Sequence, residues 1–128
     1  MTGGCLCGAV RFELEPPWRD ILICHCSLCR RSGSLAGAYT EVPAEALRLL
    51  CEDGLARYQD VNGRTRGFCS VCGATLFWQG SEGTISVSAG ALDEPEGLKV
   101  AAHIFVADSV GWETVPTDAP HHAGSSSG

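Results

Sequence analysis

The sequence predicts a mostly-β domain of short strands, on three observations. Apolar and polar residues alternate in short runs, as in strands with one buried face: Val10, Phe12 and Leu14 against Arg11, Glu13 and Glu15, then Ile85, Val87 and Ala89 against Thr84, Ser86 and Ser88. Turn dipeptides, Asp53-Gly54 and Asn62-Gly63 among them, separate such runs. No stretch has the spacing of a long amphipathic helix, and no repeat or linker divides the 128 residues, so residues 1–115 read as one domain. Pro, His, Gly and Ser dominate afterwards, and residues 116–128 are expected to form a flexible tail.

In chain order, a glycine-flanked Cys5-Leu6-Cys7 turn leads into a strand over 9–15, which Pro16-Pro17 ends because proline cannot donate to a sheet ladder. A short strand over 20–23 delivers Cys24, Cys26 and Cys29, and residues 27–32 are expected to make one helical turn. A strand over 37–42 follows. Residues 43–47 can form a helical turn, since proline is tolerated in a first turn, and 47–51 return to a strand. The two turn dipeptides bracket a strand over 55–60 and lead into another over 64–68. Cys69-Ser70-Val71-Cys72-Gly73 is a C-x-x-C-G knuckle, after which strands over 74–79 and 84–89 continue the meander. Beyond a loop over 90–97, residues 98–107 form the last strand, with His103 and Phe105 on the face opposite Val100, Ala102, Ile104 and Val106.

Nine Lys and Arg against fifteen Asp and Glu give a formal charge of −6. Two Zn²⁺ held by seven thiolates would take the loaded domain to about −9. Nucleic-acid backbones are bound by clustered cations, so such a partner is not expected. No apolar run approaches the length that spans a bilayer, so no membrane role is expected either. The cations are local, Arg30 and Arg31 after one cysteine cluster and Arg64 and Arg66 before another, where they could frame a small anionic ligand. No charged start followed by an apolar run marks a secretory leader, so a reducing, cytoplasmic compartment is expected. There, clustered cysteines are metal ligands or redox groups more often than disulfides.

Spacing sorts the cysteines into Cys5 with Cys7, Cys24 with Cys26 and Cys29, and Cys69 with Cys72, leaving Cys51 alone. Two short-spaced pairs from distant parts of a chain can close a Cys₄ zinc site, and Cys5 and Cys7 with Cys69 and Cys72 form one such set, although spacing alone leaves other partitions open. The triad Cys24, Cys26 and Cys29 then remains for a second zinc with an open position, unless Cys51 or His103 closes it. A redox role for Cys69 and Cys72 is disfavoured, because no βαβ pattern surrounds them. Three thiolates weaken an ion as a Lewis acid towards water, whereas a further thiolate suits a soft site, so a small thiol is the expected substrate. His25, between two of the ligands, is a candidate proton shuttle.

Taken together, Gly4-Cys5-Leu6-Cys7-Gly8-Ala9-Val10, Cys24-His25-Cys26-Ser27-Leu28-Cys29-Arg30-Arg31 and Gly67-Phe68-Cys69-Ser70-Val71-Cys72-Gly73 resemble the family of glutathione-dependent formaldehyde-activating enzymes, which also contains centromere protein V. The likeness continues through Ala89-Gly90-Ala91-Leu92-Asp93 and His103-Ile104-Phe105-Val106 to Trp112. It implies several short, coiled, antiparallel β-sheets around zinc sites. It also implies two Zn²⁺ per chain, a structural one on Cys5, Cys7, Cys69 and Cys72 and a catalytic one on Cys24, Cys26 and Cys29. The implied reaction is carbon–sulfur lyase chemistry, glutathione and formaldehyde combining to S-(hydroxymethyl)glutathione or the reverse. Arg30, Arg31, Arg64 and Arg66 are the candidate partners of the glutathione carboxylates, for which guanidinium suits a paired contact. A zinc-stabilised module that binds a protein partner is the competing reading, and shared folds do host unrelated functions.

Overall fold

The computed structural model describes residues 1–80, 83–95 and 97–125; residue 96 of the expected loop and residues 126–128 of the expected tail lie outside these. In chain order the elements are β1 (Thr2–Gly4), β2 (Arg11–Leu14), β3 (Ile21–Cys24), helix α1 (Ser27–Gly33), β4 (Gly37–Pro43), β5 (Leu47–Cys51), β6 (Leu55–Gln59), β7 (Thr65–Cys69), β8 (Thr75–Gln79), β9 (Thr84–Ser88) and β10 (Val100–Ile104). Single 3₁₀ turns occupy Ala44–Ala46, Ala89–Ala91 and Val106–Asp108. The fold is mostly β, as the alternation implies. Two sheets form, β1-β2-β5 and β10-β3-β4-β9-β8-β7-β6.

The core lies between the sheets. In β2, Phe12 and Leu14 are buried and Arg11 and Glu13 partly exposed, the alternation read from sequence. Phe12 meets Phe77 of β8 edge to face, ring centroids 5.2 Å apart, in a cluster with Val10, Val42, Leu76 and Val87. Aromatic pairs in this geometry add about 0.5–1.5 kcal/mol beyond their area burial. The opposite face of the larger sheet carries a second cluster of Cys24, Cys29 and Tyr39, flanked by Trp78, Ile104 and Phe105. Strand register sets that face: Glu41 lies opposite Ser86, Ser86 opposite Trp78, and Trp78 opposite Arg66, one row across β4, β9, β8 and β7.

Three features depart from the sequence reading. β1 forms where no strand is expected, paired antiparallel with β2. β10 spans Val100–Ile104 rather than 98–107, and it runs parallel to β3, an exception to the antiparallel expectation. It stops where Phe105 takes a left-handed φ of 53°. Residues 120–124, within the segment read from its composition as a flexible tail, lie along the outer edge of β10. His103 N donates to Pro120 O at 2.8 Å, His122 N to His103 O at 2.9 Å and Phe105 N to Gly124 O at 2.9 Å. An open edge strand presents unpaired backbone groups, and these bonds satisfy them whatever the side chains are.

Candidate metal and thiol site

Cys5, Cys7, Cys69 and Cys72 converge, their Sγ atoms all within 4.8 Å of one another. The local chain explains how. In the knuckle, Cys69 Sγ accepts from Val71 N and Cys72 N, both at 3.4 Å, and Gly73 closes the turn at φ 79°. In the first turn, Cys5 Sγ accepts from Val10 N at 3.3 Å, and Gly8 closes the turn at φ 85°. Such φ values suit glycine, which is why each cysteine pair is followed by one. A tetrahedral ion with Zn–S bonds of about 2.3 Å sets its sulfurs about 3.8 Å apart. Cys5 to Cys7 and Cys7 to Cys69 both measure 3.7 Å, so the donors fit a zinc-sized ion. Against the effect of burial, the bond from Val10 N and the neighbouring thiols lower Cys5 to about 6.

Cys24, Cys26 and Cys29 form the second cluster, again with Sγ atoms within 4.8 Å. Cys24 ends β3, and Cys26 is the N-cap of α1, its Sγ accepting from Cys29 N at 3.4 Å. One helical turn thus faces two cysteines towards the strand end. Hydrogen bonds from the Cys24 and Cys29 thiols hold Cys26 down at about 2, while Cys26 first and then Cys29 push Cys24 far above the ordinary thiol range. Three sulfurs this close cannot all ionise without a cation among them, and a divalent soft ion removes the conflict. Neither candidate fourth ligand is near. Cys51 Sγ donates to Ala9 O at 3.3 Å, and the two His103 ring nitrogens face His25 and Asp118. Among the described residues the cluster therefore stays at three.

The triad opens on a cleft of about 790 Å³ whose walls include Tyr39, Arg64, Arg66, Trp78 and Phe105. Arg66 is buried, its Nε donating to Asp60 Oδ2 at 3.1 Å and its Nη1 to Ser32 Oγ at 3.4 Å. Burial acts to lower its pKa, but the adjacent Cys29 and Asp60 outweigh this and raise it, so a fixed cation sits beside the sulfurs. Arg64 lies over the Trp78 ring, 5.8 Å from its centroid. Burial first, then Cys29, pushes the Tyr39 hydroxyl up to about 12, which leaves it a protonated donor at neutral pH. Glu41, in the same row of the sheet, pairs with Arg19 at 3.3 Å.

The structure therefore brings the triad together with Arg64 and Arg66, and not with the other candidates. Arg30 and Arg31 are absent from the cleft walls, although they directly follow Cys29. His25 is 2 % exposed and also outside the cleft. Its Nε2 is 3.1 Å from His103 Nδ1, and its Nδ1 is 2.9 Å from Glu113 Oε2, an ion-pair approach without hydrogen-bond alignment. Sequence reasoning missed Tyr39, Trp78, Phe105 and Asp60. Only the row of strand register could have linked Trp78 to Arg66, and that register is not written in either segment alone.

Among the described residues no helix is long and apolar enough to cross a membrane. In comparison with known proteins, residues 1–108 match the family model described as glutathione-dependent formaldehyde-activating enzyme. A curated protein of Halomonas elongata, provisionally named as such an enzyme, is 32% identical over 85 residues, 60% of this chain and 54% of that protein. The match thus spans about half the length of that relative. A crystal structure of a Rhodobacter sphaeroides protein superposes with a TM-score of 0.65 at 26% identity, covering 94% of this chain and 99% of the other. With two convergent cysteine clusters in place and the family model spanning most of its length, the chain belongs to the glutathione-dependent formaldehyde-activating enzyme family.

Proposed function

We propose that the protein is a zinc-dependent carbon–sulfur lyase-type enzyme that makes or breaks the adduct of a small thiol, glutathione in the first instance, with an aldehyde such as formaldehyde. One observation carries this reading: a three-cysteine cluster, with no fourth ligand gathered to it among the described residues, faces a cleft furnished with cations and aromatic rings. The four-cysteine cluster lies apart from that cleft and takes the structural role. Zinc held by Cys24, Cys26 and Cys29 would keep a substrate sulfur as thiolate at neutral pH, the form that is nucleophilic.

The remaining work falls to the chain itself. Arg64, braced on Trp78, offers its guanidinium to a carboxylate of the thiol. Arg66, tied to Asp60, is the fixed cation that favours charged sulfur near Cys29. Arg30 and Arg31 fall outside this assignment because they do not line the cleft. The walls of Trp78 and Phe105 exclude water from the reacting sulfur, and Tyr39 supplies a hydroxyl donor for the aldehyde oxygen. In the forward direction a C–S bond forms as the C=O π pair moves to oxygen, which takes up one proton; the reverse returns that proton and expels the thiolate. His25 serves this chemistry from behind the ligands. A reducing cytoplasm suits the reading, since the eight cysteines stand outside disulfides and ligand sulfurs must stay reduced.

Zinc stoichiometry and glutathione calorimetry test it together. Wild type should carry two zincs and bind glutathione, and Cys26→Ser should keep its fold, fall to one zinc and lose the thiol. If wild type bound no small thiol at all, the cleft would be better explained as part of a protein-interaction module.

A further inference from the structure

We infer that Glu113, on a segment beyond residues 1–108 matched by the family model, is a positioning residue of the three-cysteine site and acts through buried His25. The inference rests on the proposed reading only in that the triad holds a metal ion. His25 lies between two of the ligands, and its backbone N donates to Ile104 O at 2.9 Å. Its ring is enclosed between Glu113 Oε2 at 2.9 Å and His103 Nδ1 at 3.1 Å, and His103 Nε2 in turn lies 3.2 Å from Asp118 Oδ1. Two carboxylates of the C-terminal segment thus approach a pair of imidazoles from both ends. Fixing the His25 ring fixes the chain from Cys24 to Cys26, and with it the spacing of two sulfurs.

Stability alone does not account for this arrangement. The Glu113 side chain is 5 % exposed, and its Oε1 has no hydrogen-bond partner among the described residues, so its burial costs free energy. A buried polar contact is often no more stabilising than an apolar one of the same shape, whereas fixing geometry is a use such groups are known for. Groups behind metal ligands characteristically alter metal affinity by about 10–100-fold when removed. The segment is itself held down: Glu113 N donates to Val110 O at 3.0 Å, and residues 120–124 bond along β10.

The test uses full-length protein loaded with Co²⁺, whose visible absorption reports thiolate coordination, and follows release to a chelator. Wild type should lose its ions in two phases, one of which is missing in Cys26→Ser. Glu113→Ala should accelerate that phase about tenfold and leave the other phase alone. Glu113→Gln, which keeps an acceptor for the His25 ring, should restore slow release. Unchanged phases, or both phases accelerating together as the melting temperature falls, would overturn the inference in favour of a merely structural residue. Should Glu113→Ala not fold, Asp118→Ala at the exposed end decides in the same way: acceleration confined to the triad phase supports the inference, and none overturns it. A wild type that takes two Co²⁺ but no glutathione sinks the proposed function and leaves positioning standing on the release kinetics. One that takes a single ion overturns both.

Discussion

Replacing Arg66 with Met should destabilise the fold by an amount that the structure bounds. The Arg66 side chain is 11% exposed and that of Asp60 4%, so the pair joined at 3.1 Å is largely out of water. Removing one partner of a buried pair typically costs 3–5 kcal/mol because the other charge is left uncompensated. Asp60 is not wholly abandoned, since its Oδ1 still accepts from Asn62 N at 2.9 Å and Arg64 N at 3.1 Å. The low end, about 3 kcal/mol, is therefore expected. Unfolding entropy of about 2.1 cal/mol/K per residue converts this into a fall in melting temperature of roughly 11 °C for a chain of this length. Arg66→Met/Asp60→Asn, with neither charge present, should recover about 1–2 kcal/mol of the loss. Asp60 is held below the usual carboxylate range, burial opposing and the two backbone donors and Arg66 prevailing. Its contribution is present above the unfolded carboxylate pKa of about 3.9 and is lost as pH falls through the lower folded value, so the difference between variants should be flat from about pH 6 to 8. Calorimetric melting at fixed free zinc measures all three proteins. Single and double variants that melt alike would refute the reasoning, because the aspartate would then not feel the missing cation.

Two other substitutions probe the site from different sides. An alanine at Gly37 would place its Cβ 2.4 Å from Tyr39 Cε2, and that ring packs in one cluster with Cys24 and Cys29. Thermal melting should show a loss of about 1–3 kcal/mol, with weakened glutathione binding, whereas Gly33→Ala, with nothing within 4 Å, should be neutral. Cys69→Ser removes a fully buried sulfur that ties the β7–β8 knuckle to the first turn. Binding energy at a structural zinc, about 10–16 kcal/mol, is folding energy, so loss of cooperative melting is expected, in contrast to Cys26→Ser. A Cys69→Ser protein that melts like wild type would show that the four-cysteine cluster staples nothing.

The two cysteine clusters were legible because knuckle geometry is local. Cys69 and Cys72 are brought together by bonds within four consecutive residues, and Cys26 and Cys29 by one helical turn, so spacing alone carries the outcome. The strand over β2 was legible for the same reason, showing its buried face in its own alternation, whereas in β9 Ser86, on the face read as exposed, is buried as well as Ile85 and Val87. β1 was not legible, because Thr2–Gly4 has no periodicity and owes its place to packing: a Cβ on Gly3 would meet Ala91 O and Phe12 Cζ at 2.5 Å.

What surrounds the triad could not be read from neighbours in sequence. Arg30 and Arg31 stand one and two residues beyond Cys29, and on a helix those steps turn a side chain about 100° and 200° away from the face the cysteine occupies. Arg66 is thirty-seven positions further along, yet it reaches the cleft because β7, β8, β9 and β4 bring Arg66, Trp78, Ser86 and Glu41 into one row. The same holds behind the ligands, where Glu113 meets His25 only because β10 lies parallel to β3 and the chain beyond it returns along its edge. Residues that hold an ion are set by a few torsions and evolve as a motif. Residues that decide what may approach the ion are set by sheet register, so within one family they can change at positions far from any cysteine, and a conserved-looking cysteine pattern constrains the metal far more than the substrate.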